Sequence, residues 1–163
     1  MARVWKFGAD VDTDQIVPGR YAPYMRPGED VGQAAFIEAR PEFARDALPG
    51  DLIVAGSNFG CGSSREYAAE ALHRRGVGAI VAVSFARIFF RNAVNLGIPV
   101  VSSAEIVAAL ADGDEVRFDY ARRRIATHDG EIAFPEPPLF VDEIIRAGGI
   151  VAYVRATGHF PGE

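Results

Sequence analysis

The apolar positions of the chain fall into two textures. Between residues 52 and 110, short apolar runs alternate with stretches of helical period. Residues 52–55, 79–84 and 98–101 read as strands, and their apolar runs are continuous, as expected where helices cover both faces of a sheet. Residues 64–75 and 85–95 have helical spacing, and Gly76 and Gly97 stand where a helix would end in a left-handed residue. Ser102-x-x-Glu105 predicts a capping box that opens a further helix to residue 110. Strand and helix in repetition call for parallel strands with right-handed crossovers. From residue 115 the texture changes. Residues 115–120 alternate like a half-exposed strand, with 124–127 and 132–134 as antiparallel partners around Asp129-Gly130. Pro135 to Pro138 stops that unit, and 140–147 predicts a short last helix.

The first fifty residues are less regular. Residues 4–7 predict a strand, 10–16 a polar loop, and 34–39 a short helix stopped by Pro41, with another helical turn over 42–47. Residues 18–27 are rich in Pro, Gly and Tyr and show no period. That length of irregular chain points to a functional loop. The fold class expected is α/β, one domain over 1–163, with a parallel strand–helix half and a β-rich remainder.

Composition narrows the partners. The chain has 163 residues, 49% hydrophobic and 24% charged, enough for one domain with its own core. A net charge of −5 argues against nucleic acid or an anionic membrane as a partner. Cys61 is the one cysteine, which excludes an internal disulfide and fits a reducing compartment. With no apolar leader and no run long enough to span a bilayer, a cytoplasmic protein is expected.

The densest chemistry lies in Gly60-Cys-Gly-Ser-Ser-Arg-Glu66, between a strand and a helix. A glycine-rich turn there leaves backbone N–H groups free and aims them at the mouth of the turn. Ser63, Ser64 and Arg65 add two hydroxyls and a guanidinium, making a small anion receptor with a base inside it. The structural alternative is that Ser63-x-x-Glu66 is only a capping box and the glycines only turn formers. Arg65 weighs against that alternative, because a cation in a first helical turn opposes the macrodipole.

Other chemistries find less support. His73, His128 and His159 are scattered without metal-ligand spacing, and a single cysteine cannot hold an iron–sulfur cluster, so no metal site is expected in this chain. Asp10, Asp12 and Asp14 alternate, yet the glycine and distal glutamate of a calcium loop are missing. Cys61 is either a filler of the turn or, with its pKa lowered by Arg65 and a helix start, a reactive thiol.

Three motifs occur in order: Asp12-Thr-Asp-Gln-Ile16 with Pro18-Gly-Arg-Tyr21, then Gly56-Ser-Asn-Phe-Gly-Cys-Gly-Ser-Ser-Arg-Glu66, then Phe85-Ala-Arg-Ile-Phe-Phe-Arg-Asn92. Together they resemble the small subunits of 3-isopropylmalate dehydratase and homoaconitase, the detached swivelling domain of the aconitase superfamily, over roughly residues 3–155. The resemblance implies a β/β/α swivelling fold and a catalytic [4Fe–4S] cluster on a separate large subunit, none being bound by this chain. It implies a heterodimer or heterotetramer with that subunit and a small hydroxy-diacid substrate. It carries the base to Ser63, support of proton transfer to Asp14, and substrate-carboxylate binding to Ser64 and Arg65. Tyr21 and Arg26, in the loop Tyr21-Ala-Pro-Tyr-Met-Arg26, are expected to face the substrate's variable group. That loop departs from the tyrosine followed by a Leu-Arg-Thr-like sequence usual in leucine-pathway subunits, and leaves isopropyl and carboxyalkyl recognition both open. The reading in the lead is the small subunit of an isopropylmalate dehydratase-type hydro-lyase. Its rivals are a homoaconitase small subunit, a stand-alone anion-binding module, and a cysteine-dependent hydrolase built on Cys61.

Overall fold

The computed structural model describes residues 1–162. Its frame is a seven-stranded mixed sheet of β1 (Ala2–Lys6), β2 (Leu52–Ala55), β3 (Ala79–Ala82), β4 (Val100–Ser102), β5 (Glu115–Asp119), β6 (Arg124–Thr127) and β7 (Gly130–Ala133), in the order β4-β3-β2-β1-β5-β6-β7. Strands β1 to β4 pair in parallel, and β1, β5, β6 and β7 pair antiparallel. The two textures of the sequence thus meet at β1, which serves both halves.

Period-two alternation divides the core. Trp5, Ile53, Ala55, Ile80 and Ala82 face one side, packed with Ala68, Leu72, Phe89 and Ile144 of the helices. Val4, Leu52, Val54, Ala79 and Val81 face the other, with Ile106, Leu110, Val116 and Ile125. Every residue of β2 and β3 is buried, which explains their unbroken apolar runs. The helices are α1 (Thr13–Ile16), α2 (Pro41–Asp46), α3 (Glu66–Arg74), α4 (Arg87–Asn95), α5 (Ala104–Ala109), α6 (Leu139–Ala147) and α7 (Ile150–Thr157).

Several elements differ from expectation. The polar loop over 10–16 contains α1, because Asp12 and Gln15 form a capping box, the Asp12 carboxylate accepting from Gln15 N and the Gln15 side chain accepting from Asp12 N. The expected helix over 34–39 does not form: a 3-10 turn over Val31–Ala34 gives way to turns over 35–39, where Phe36 sits in the left-handed region at φ 55° and donates its N–H to Ile16 O. Pro41 does not stop a helix but opens α2, where its missing N–H costs nothing. The cap of α5 is Ser103, not Ser102. The last expected helix is followed by α7, after a break at Gly148 and Gly149; a Cβ on Gly149 would lie 2.7 Å from Asn95 O. The start of α3 matters most for function. It begins at Glu66 rather than at residue 64, and Arg65 is its N-cap, without a side-chain capping bond.

Candidate functional site

The carboxyl ends of β1, β2 and β3 run into three segments that zip together beyond the sheet. Gly60 N donates to Val11 O at 2.7 Å, and Thr13 N donates to Cys61 O at 2.9 Å. On the other side, Phe59 N donates to Ser84 O and Ala86 N to Phe59 O. The glycine-rich loop is therefore clamped between the chain entering α1 and the chain entering α4. In open α/β sheets this end of the strands is where ligands bind.

Gly60 makes the clamp possible. Its φ is +79°, and a Cβ there would fall 2.2–2.7 Å from side-chain atoms of Phe89 in α4. Only glycine fits both the backbone and the space.

The clamp brings the predicted residues together. Asp14, on α1, forms an ion pair with Arg65 Nη1. Arg65 also passes over Gly19, whose Cβ position is 3.5 Å from Nη1, and over the Tyr67 ring, 5.9 Å from its centre. Partial burial works against the Arg65 charge, but Tyr67 and Asp14 outweigh it and hold its pKa above the usual arginine value. The Ser63 hydroxyl lies 3.3 Å from Thr13 Oγ1, and Thr13 Oγ1 donates to Ser63 O at 3.1 Å. With its proton committed there, the threonine accepts from Ser63, which leaves the outer lone pairs of Ser63 facing solvent.

Ser63 and Ser64 are both exposed. Neither caps α3, so the purely structural capping box does not form. The N–H groups of Glu66 and Tyr67 have no acceptor among the described residues. Two unbonded N–H groups, two exposed serines and the Arg65 guanidinium thus lie within residues 63–67, at the start of α3. That set can bind a carboxylate and place a hydroxyl base beside it.

Tyr21 and Arg26 lie next to this set but are joined mainly to one another. The Arg26 guanidinium sits 4.6 Å from the Tyr21 ring centre, donates to Arg20 O and pairs with Glu29 at 3.4 Å. Tyr24 and Met25 of the same loop are exposed, at 68% and 60%, and the Tyr24 ring meets Tyr67 edge-on at 6.2 Å. The loop reaches Arg65 through Tyr67.

Two members of the site were not singled out from the sequence. Thr13 is 3% exposed and holds Ser63 from below; the Asp12-x-x-Gln15 capping box was the signal that would have placed it on a helix. Tyr67 carried no such signal.

The surroundings of Cys61 weigh against the reactive-thiol reading. Burial pushes the thiol pKa up, and Asp12 and Asp10 push it further. A thiolate at neutral pH needs the opposite setting. Among the described residues no group of three or more His, Cys, Asp and Glu is placed to hold a metal ion, and one cysteine is too few thiolates for an iron–sulfur cluster. No helix among them is long and apolar enough to cross a membrane. A groove of about 440 Å³ runs between α3 and α4, lined by Glu66, His73, Arg74 and Asn92 among others, and does not include Ser63 or Arg65.

Comparison with known proteins accounts for this arrangement. The model of the Aconitase C-terminal domain family matches residues 11–105. The homoaconitase small subunit of Thermus thermophilus is 50% identical over 163 residues, covering 100% of both chains. The 3-isopropylmalate dehydratase small subunit 1 of Deinococcus radiodurans is 48% identical, over 100% of this chain and 92% of that one. A crystal structure of 3-isopropylmalate dehydratase from Methanocaldococcus jannaschii superposes with a TM-score of 0.86 at 38% identity, covering 96% of this chain and 93% of the other. The chain belongs to the aconitase C-terminal domain family and is one of its detached small subunits, made to work with a large subunit in a hydro-lyase.

Proposed function

We propose that the chain, with its large subunit, isomerises 2-isopropylmalate to 3-isopropylmalate through the alkene. The observation that carries this is the convergence of Ser63 and Arg65, from the glycine-rich loop, on Thr13 and Asp14 of α1. Ser63, as its alkoxide, takes a proton from the carbon next to a substrate carboxylate, while the hydroxyl on the neighbouring carbon leaves as hydroxide and becomes water with a proton from solvent. Re-addition in the opposite sense gives the isomer. Removing that proton builds charge on the carboxylate, and the planar fork of Arg65, the Ser64 hydroxyl and the free N–H groups at the start of α3 stabilise it where it develops.

Asp14 occupies Nη1 of Arg65 and leaves Nε and Nη2 for substrate. In this reading it also supports the proton transfer. Thr13 serves the serine directly: by rotating its O–H from Ser63 O to Ser63 Oγ, it donates to the alkoxide that a serine base requires. The [4Fe–4S] cluster belongs to the large subunit in this proposal, and no step on this chain's residues depends on it.

Tyr21 and Met25 supply apolar walls for an isopropyl group, Ala22 being fully buried beneath them, and Arg26 is already engaged by Glu29. The second reading is homoaconitase. It is favoured by the 50% identity to the Thermus subunit of that name, with Arg26 released from Glu29 to meet a distal carboxylate. Anaerobic reconstitution with the cognate large subunit, assayed on 2-isopropylmalate and homoaconitate side by side, decides between them. A higher kcat/KM on isopropylmalate is expected; a higher value on homoaconitate transfers the assignment to the second reading.

A further inference from the structure

Tyr67 has no role in the chemistry described so far, yet its hydroxyl is the most anomalous polar atom near the site. The oxygen is buried and has no hydrogen-bond partner of acceptable geometry among the described residues. A buried hydroxyl without a partner is costly, so such an atom is expected to have a use in another state of the protein. The Tyr24 phenol and the Arg65 guanidinium both stand within reach of it and act on it through charge and weak hydrogen bonding, but neither meets it at the distance and angle of a formed hydrogen bond. Burial raises its pKa, Arg65 pulling the other way, so at neutral pH it is a neutral phenol able to donate and accept.

Its position explains what that use is. Tyr67 lies in the first turn of α3, two residues after Arg65, so its ring is fixed by a helix while Arg65 is not. The guanidinium is held at its tip by Asp14, along its edge by the close approach to Gly19, and on its third side by the Tyr67 ring. On the outer side of that ring stands Tyr24, from the loop expected to face the substrate's variable group. Tyr67 contacts both the carboxylate-binding arginine and that loop.

We propose that Tyr67 is a positioning residue: its hydroxyl takes an Arg65 N–H when substrate occupies the site, fixing the plane of the guanidinium and tying it to the Tyr24 loop. The inference rests on the carboxylate-binding role given to Arg65 above. Substrate gains the outward-facing N–H groups of Arg65, and a small turn of the guanidinium brings another N–H to the buried phenol. The hydroxyl that is unsatisfied in the free subunit is satisfied in the complex.

The test is Tyr67→Phe, alone and combined with Arg65→Lys, in the anaerobically reconstituted two-subunit enzyme. Phenylalanine keeps the ring and removes the unsatisfied oxygen, so the melting temperature of the isolated subunit should stay level or rise. KM should increase about tenfold, the scale of one hydrogen bond to a charged group, with kcat little changed. In the Arg65→Lys background the same substitution should add almost nothing, because the fork it positions is gone. Wild-type KM in Tyr67→Phe, or a full additional loss in the double variant, overturns the proposal. The assay uses whichever diacid the wild-type complex turns over, so a wrong substrate assignment is visible separately. A wild-type complex inactive on every diacid removes both inferences together.

Discussion

Ser63→Ala separates catalysis from stability more cleanly than the sequence alone suggested. Had Ser63 capped α3, its loss would cost about 0.5–2 kcal/mol of stability. In the structure it caps nothing: α3 begins at Glu66, and the Ser63 side chain is exposed, meeting Thr13 Oγ1 at 3.3 Å. The bond from Thr13 to the Ser63 carbonyl survives the substitution. What is lost is one long, solvent-accessible hydrogen bond, worth about 0.5 kcal/mol or less. For a chain of this size that lowers Tm by about 2 °C at most. A general base, by contrast, contributes on the order of 10²–10⁴ to the rate. Thermal melting of the isolated subunit and turnover of the reconstituted enzyme, measured on one preparation, should therefore diverge. A Tm essentially at wild type with turnover reduced at least about a hundredfold is the expected outcome. A clear loss of Tm with turnover within a few-fold of wild type would refute the assignment of Ser63 as base.

The other substitutions probe the rest of the site. Arg65→Lys keeps the charge and loses the planar fork, so kcat/KM should fall at least about tenfold with little change in Tm; unchanged kinetics remove Arg65 from carboxylate binding. Arg26→Ala breaks the contacts to Glu29 and Tyr21 and should spare isopropylmalate while depressing any activity on homoaconitate; equal effects on both substrates, in side-by-side assays, would detach Arg26 from specificity. Gly60→Ala forces a Cβ into the Phe89 ring at a φ of +79°, which should cost about 2–4 kcal/mol and show as a lower denaturation midpoint. A near-wild-type midpoint would mean that the clamp of the loop against α4 is looser than described.

Much of this was legible in the sequence, for identifiable reasons. Strands β2 and β3 lie between helices and an apolar far face, so their sequences are continuous apolar runs. The hairpin of β6 and β7 was marked by Asp129-Gly130, although its register places Thr127 opposite Gly130. The glycine loop was readable because Gly60, Ser63 and Arg65 are chemically unusual together. Elements set by tertiary contact were not readable. Phe36 adopts a left-handed backbone to reach Ile16 O and bury its ring, which no local pattern announces, and a helix was expected there instead. The start of α3 was misplaced because Ser63-x-x-Glu66 has the form of a capping box, whereas Thr13 takes hold of Ser63 from fifty residues away. The Asp14–Arg65 pair is equally non-local. Nothing local marks Tyr67 either, because its place between Arg65 and Tyr24 is set by the loop packing against α3.

The central claim is that this chain supplies the base and the carboxylate receptor, while the rest of the active centre comes from a second subunit. Titrating the purified chain into a fixed amount of the cognate large subunit under anaerobic conditions, with 2-isopropylmalate present and the alkene followed by its absorbance, tests it most directly. The account predicts no turnover by either subunit alone and a rate that rises with added chain to saturation at a fixed stoichiometry. Turnover by the isolated chain, or a rate that the large subunit reaches without it, would contradict the account.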